Sequence, residues 1–101
     1  MGKITSLPFY ILILFSTNLF SQERFTLSGT ITEIASNETL IGVTVAVPAL
    51  STGVITNEYG FYSITLQKGS YELHISSLGY QDIIQTIDLS YDQKINFQLL
   101  E

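Results

Sequence analysis

The chain has 101 residues, 46% of them hydrophobic, with four Lys and Arg against nine Asp and Glu, a formal net charge of −5, and no cysteine. So acidic a chain repels phosphate backbones and anionic headgroups, which removes nucleic-acid binding for want of a cationic footprint. Acidity of this size keeps a domain soluble and selects no ligand, and without disulfides the fold depends on sheet pairing and a well-filled core.

The first 22 residues, "MGKITSLPFYILILFSTNLFSQ", set one cation at Lys3 before an apolar run from Leu7 to Phe20 and then small and polar residues. That is the layout of a secretory signal peptide. A membrane span needs ~20 apolar residues, and this run is shorter and broken by Pro8, Ser16, Thr17 and Asn18. Cleavage is expected after Ser21 or Gln22, and no cysteine follows the apolar core to take a lipid anchor. The expected organisation is therefore a signal peptide over 1–22 and one exported domain over 23–101. Loss of Lys3 leaves Arg24, Lys68 and Lys94 against the nine acids, a net charge of −6. A domain of about 79 residues is near the low end for folding alone, so its apolar strand positions must be buried. Export without cysteine fits a bacterial source better than a eukaryotic one.

From Phe25 the pattern has a period of two, the signature of half-buried strands. In "FTLSGTITE", Phe25, Leu27, Gly29 and Ile31 share one face; Ser36 and Asn37 then mark a turn, and Val43, Val45 and Val47 alternate with Thr44 and Ala46. Pro48 cannot donate to a ladder and ends that strand or marks an edge. A brief run "VIT" leads into Asn57, Glu58, Tyr59 and Gly60, where Asn first and Gly fourth suit a type I turn whose glycine forms the bulge of a tight hairpin. "FYSITL" puts Tyr62, Ile64 and Leu66 on one face, and "QKGS" reads as a second hairpin with Gly69 as its left-handed residue. "YELHISSL" turns Tyr71, Leu73 and Ile75 inward. The slip of phase at Gly79 suggests a bulge or a corner between sheets. Ile83, Ile87 and Leu89 continue the pattern, and "KINFQLL" turns Ile95, Phe97 and Leu99 to the core. About seven strands with no helical periodicity predict an all-β, antiparallel β-sandwich.

No chemistry stands out. His74 is the single histidine, its strand phase points to solvent, and no second nitrogen ligand exists. Ser76 shares its face, but a nucleophile–base pair needs facing side chains and an orienting acid, and the sequence gives that pairing no support. Asp82, Asp88 and Asp92 do not have the spacing of an EF-hand calcium loop; a solvated acidic face is the default, and a calcium site built from separated loops is the alternative. "NET" at Asn37–Thr39 has the glycosylation pattern, which goes unused in a bacterial exported chain. The isolated glycines form no phosphate-cradling loop. No catalytic, cofactor-binding or metal-binding residue is therefore assigned. The expected structural turns are at Gly42, Asn57, Gly60, Gly69 and Gly79, and Tyr59 and Phe61, expected to be exposed, form a candidate docking surface.

The segment "GTITEIASNETLIGVTVAVPALSTGVITNEYGFYSITLQKGSYELHISSLGYQD" resembles the carboxypeptidase regulatory-like domain, a transthyretin-like sandwich. It looks most like the version that follows the signal peptide of TonB-dependent outer-membrane receptors in Bacteroidetes. The positions that carry the resemblance are Gly29, Gly42 with Val43, Gly53, Thr56, Gly60 with Tyr62, Gly69, and Gly79 with Tyr80. Asn57 stands where that family usually has aspartate, which keeps the side-chain acceptor of the turn and removes a charge. The resemblance implies a non-enzymatic module, in the periplasm or at the outer membrane of a Gram-negative bacterium, that acts through protein contacts by sheet-edge pairing or surface docking. Its partner is expected to be a receptor plug or barrel or another outer-membrane component. The residues up to Glu101 include neither plug nor barrel, so the chain is expected to be a truncated or split part of such a receptor, with no cofactor and no membrane span in the mature domain. Two alternatives remain open: a free-standing exported adhesion or matrix protein, and the regulatory domain of a metallocarboxypeptidase, whose zinc ligands this chain lacks.

Overall fold

In a computed structural model the described residues are 23–101; the expected signal peptide lies outside them. Eight strands follow in order: β1 Arg24–Glu33, β2 Thr44–Val47, β3 Thr52–Ile55, β4 Phe61–Gln67, β5 Gly69–Ser76, β6 Ile83–Leu89, β7 Gln93–Lys94 and β8 Phe97–Leu99. A single 3-10 turn, Pro48–Leu50, separates β2 from β3. Pro48 ends β2, as its missing N–H requires.

The strands form two sheets. In the first, β1 is central, pairing antiparallel with β4 and parallel with both β7 and β8; in the second the order is β3-β2-β5-β6, all antiparallel. The fold is the expected all-β sandwich, with the addition of a parallel pairing between the first and last strands. Alternation could not reveal it, because a period of two is common to both strand directions.

The inner faces meet in one core. The first sheet supplies Leu27, Ile31, Tyr62, Ile64, Leu66, Phe97 and Leu99; the second supplies Val45, Val47, Leu73, Ile75, Ile87 and Leu89, with Val43 just before β2. Each is buried because its strand places every second side chain inward, and burial of each aliphatic group contributes about 1.5–3 kcal/mol. Phe25, Tyr71, Ile83 and Ile95 pack partly buried at the margins.

The last strand breaks into β7 and β8 at Ile95 and Asn96, and the break is tied to β1. Gly29 is buried and faces the core, and the place its Cβ would take lies 1.9 Å from the Ile95 carbonyl oxygen. The Tyr62 hydroxyl donates to that oxygen at 2.7 Å, and Tyr62 pairs with Gly29 across β1 and β4. Two side chains replace backbone acceptors beside the break: Thr30 N donates to Asn96 Oδ1 at 2.9 Å, and Thr26 N donates to Asp92 Oδ1 at 2.8 Å.

Burial pushes the Tyr62 hydroxyl up to about 12. Its folded value is raised above the unfolded one near 10, so the contribution to stability is complete below pH ~10 and is lost as pH rises towards 12. Tyr80, which donates to Glu33 Oε2 at 2.6 Å, is also pushed up to about 12, chiefly by that bond and then by burial. An ultraviolet titration of phenolate is expected to show a late phase near pH 12 whose amplitude falls in Tyr62→Phe. Tyr62→Phe itself should cost about 1–2 kcal/mol, because the inward Ile95 carbonyl loses its donor.

Three connections differ from the expected turns. The chain reverses at Asn57–Gly60, but β3 and β4 belong to different sheets, so this turn carries the chain from the second sheet to the first rather than closing a hairpin. Lys68–Gly69 was expected to form a hairpin with a left-handed glycine; it too is a crossing between sheets, and the φ of Gly69 is outside the left-handed region. Tyr71 covers this corner, donating from its hydroxyl to the Gln67 carbonyl at 2.6 Å. Gly79, expected at a bulge or sheet corner, instead sits at φ +89° in the loop joining β5 to β6, neighbours in one sheet, where Tyr80 N donates to Ser77 O at 3.0 Å. The reason is common to all three. Turn chemistry specifies a reversal, while the partner of the following strand depends on long-range pairing.

Candidate docking surface

The turn Asn57–Gly60 is held by its first and last residues. Asn57 Oδ1 accepts from the N–H of Tyr59 at 2.9 Å and of Phe61 at 3.1 Å, and Gly60 N donates to Asn57 O at 2.9 Å. Two acceptor contacts at one amide oxygen need no charge, so asparagine suffices to hold this turn. Gly60 has φ +72°, and an added Cβ would lie 2.8 Å from Ile31 O and 2.9 Å from Thr39 Cβ. The turn is thereby pressed against the segment after β1.

Thr56 fixes the adjoining loop. It is buried, its hydroxyl donates to Leu40 O at 2.7 Å and accepts from Val43 N at 2.9 Å, and its own N–H donates to Val43 O at 2.9 Å. Gly42, at φ +80°, donates its N–H to Thr56 O at 3.1 Å. Ile41 is left at the tip, 67% exposed.

These loops lie at one pole of the sandwich. Register places the end of β1, the start of β2, the end of β3, the start of β4, the end of β5, the start of β6 and the end of β8 there together. Seven of the ten exposed large apolar side chains among the described residues belong to this pole: Ile34, Ile41, Ile55, Tyr59, Phe61, Leu78 and Leu100. Tyr59 is 70% exposed and Leu78 fully exposed. Tyr59 and Phe61 were named from the sequence. The other five were missed, although Leu78 shows the available signal: a large apolar residue between Ser77 and Gly79, outside any strand phase.

The pole is also acidic. Glu33, Glu38, Glu58, Asp82 and Glu101 lie on it, whereas Arg24 and Lys68 are at the far end and Lys94 pairs at Ser28, partway along β1. Hydrogen bonds from Ser36 and Tyr80 hold the Glu33 carboxyl below its ordinary value, so it stays ionised there.

Other groups weighed from the sequence stand apart. His74 Nε2 lies 2.8 Å from Glu72 Oε1 on the outer face of the second sheet. Asp92 is engaged with β1, as described. Among the described residues no group of three His, Cys, Asp or Glu side chains is disposed to hold a metal, and no helix is long and apolar enough to cross a membrane.

A family model for the CarboxypepD_reg-like domain matches residues 27–101. The chain belongs to that family. No curated protein matches it. Among solved structures, a mutant type II cohesin–X-dockerin complex from Acetivibrio cellulolyticus is similar with TM-score 0.65 and 18% identity, over 74% of this chain and 56% of that one. The group B streptococcus pilus 2b backbone protein is similar with TM-score 0.58 and 16% identity, over 76% and 41%. A DUF3823 family protein from Parabacteroides merdae is similar with TM-score 0.56 and 15% identity, over 78% and 47%. This CarboxypepD_reg-like chain thus spans about half the length of those chains or less, and at such identities the likeness is one of fold.

Proposed function

We propose that this chain is a non-catalytic, exported accessory module of a TonB-dependent outer-membrane receptor, and that it docks through the apolar, acidic pole built around Asn57–Gly60. The observation that carries the reading is the gathering of seven exposed large apolar side chains at one pole of a CarboxypepD_reg-like sandwich. Scattered apolar side chains are ordinary on a protein surface; a contiguous set rimmed by charge is the form of a contact site. Tyr59 and Phe61 supply the aromatic anchors that concentrate binding energy. Support for a protein partner also comes from the neighbours in fold, among them a cohesin–dockerin complex and a pilus backbone.

The test is site-specific photo-crosslinking in the cells that make the chain, with a benzophenone amino acid at Tyr59, Phe61 or Leu78 and, as control, at Ser90 on the opposite pole. Adducts with a receptor plug or barrel from the first three positions alone are expected. A metallocarboxypeptidase or an extracellular matrix component in their place would transfer the module to one of the alternatives. Equal labelling from Ser90 would remove the pole from consideration.

A further inference from the structure

Hydrogen-bond alternation identifies which sheet edge is open. In an antiparallel ladder a residue's N–H and C=O point to the same side, and successive residues point to opposite sides. Thr56 N donates to Val43 O, so the odd-numbered residues of β2 bond to β3, and Thr44 and Ala46 bond to Ser76 and His74 of β5. The odd-numbered residues of β5 then bond to Ile83, Gln85 and Ile87 of β6. Ile84, Thr86 and Asp88 consequently present their backbone groups outward. The Asp88 carbonyl confirms the phase by accepting from Gln93 Nε2 at 2.7 Å.

The other edges are short or, along β4, partly closed, with Ser63 left facing outward at its middle. Along β4 the outward groups of Phe61 bond to Asn57, the Thr65 carbonyl accepts from Arg24 Nη2 at 3.3 Å, and the Gln67 carbonyl accepts from Tyr71. β3 offers only Gly53 and Ile55, and β7 is two residues long. Beside β6, in contrast, an open groove of about 680 Å³ runs between it and β8, lined by Ile34, Ile83, Phe97, Gln85, Asn96 and Gln98 together with Thr30, Thr32 and Asn37. No lining residue is charged. Asp82 and Asp88 bracket the edge six positions apart, and β6 contains no cation.

We propose that β6 is a strand-addition site that takes an extended segment of a partner protein, with Lys or Arg near each end facing Asp82 and Asp88 and alternate apolar side chains in the groove. Backbone bonds at Ile84 and Thr86 would supply affinity, and the groove and the two carboxylates the selectivity. The inference rests on the reading of the chain as a protein-contact module; its groove meets the pole at Ile34 and Asp82 but does not use Tyr59, Phe61 or Leu78.

The test uses the purified protein and the end-blocked heptapeptide Lys-Val-Thr-Val-Thr-Val-Lys, whose alternation sets both lysines on the face opposite its valines, followed by NMR and amide hydrogen exchange. The Ile84 and Thr86 amides are expected to exchange freely alone and at least tenfold more slowly with millimolar peptide, with saturable shifts at Ile83, Gln85 and Phe97. Glutamate in place of both lysines should weaken binding at least tenfold, and N-methylation of the edge-facing residues should abolish it. Thr86→Pro should also abolish it while β5 stays protected, because the Thr86 N–H contributes no bond to β5; if that variant does not fold, the methylated peptides decide alone. No protection at β6, protection at β3 instead, or β6 amides already protected in a dimer of this chain would each overturn the proposal.

Discussion

Gly29→Ala is expected to unfold the domain, or to leave it less stable by on the order of 4 kcal/mol, at the severe end of single substitutions. The methyl group would be placed 1.9 Å from the Ile95 carbonyl oxygen and 2.7 Å from its carbon, and both are backbone atoms that no rotamer change can move. Relief requires the C-terminal strand to withdraw from β1, which breaks the Tyr62–Ile95 bond and disturbs those of Ser28 and Thr30 with Ile95 and Asn96. Urea denaturation checks this. A midpoint within 0.5 M of the parent, at unchanged slope, would show that the approach of Ile95 to Gly29 is not close in solution.

Gly60→Val carries the second largest effect, about 3 kcal/mol. Two costs combine: roughly 1–2 kcal/mol for a side chain in the left-handed region, and crowding of the new Cβ against Ile31 O, Thr39 Cβ and Leu40 N, for which 1–3 kcal/mol is typical. Gly42 separates the two terms, since it has φ +80° with nothing within 4 Å of an added Cβ. Gly42→Ala should therefore lose only about 1 kcal/mol. Equal losses at the two sites would mean that the turn does not press on the segment after β1. Both variants are read from the same urea midpoints, and Gly60→Val should also reduce crosslinking from Tyr59.

Much of the sandwich was legible because its strands obey a strict alternation. Tyr62, Ile64 and Leu66 lie inward as their phase requires, and Ser63 and Thr65 outward. The same is true of Leu73 and Ile75 on β5. Strand partnership was not legible. "QKGS" and "SLGY" carry similar turn residues, yet the first passes between sheets and the second joins neighbours, a distinction made by contacts dozens of residues away. The special position of Gly29 was hidden for the same reason: nothing in "LSGTI" announces a carbonyl arriving from Ile95. At the candidate site, Tyr59 and Phe61 could be named from the turn that holds them. Ile34, Ile41, Ile55, Leu78 and Leu100 could not, because their grouping is a product of register, which brings chain ends and loops to one pole.

The position of β1 has a kinetic consequence. Its antiparallel partner is complete by residue 67, but its parallel partners span 93–99. Loop closure over some 65 residues must precede that pairing, and such distant contacts make folding slow, in the millisecond-to-second range. A nascent polypeptide emerging amino end first therefore keeps one flank of β1 unsatisfied until residues 93–99 have been made. The architecture itself delays collapse, and a domain so delayed stays extended and pliable until that late segment arrives.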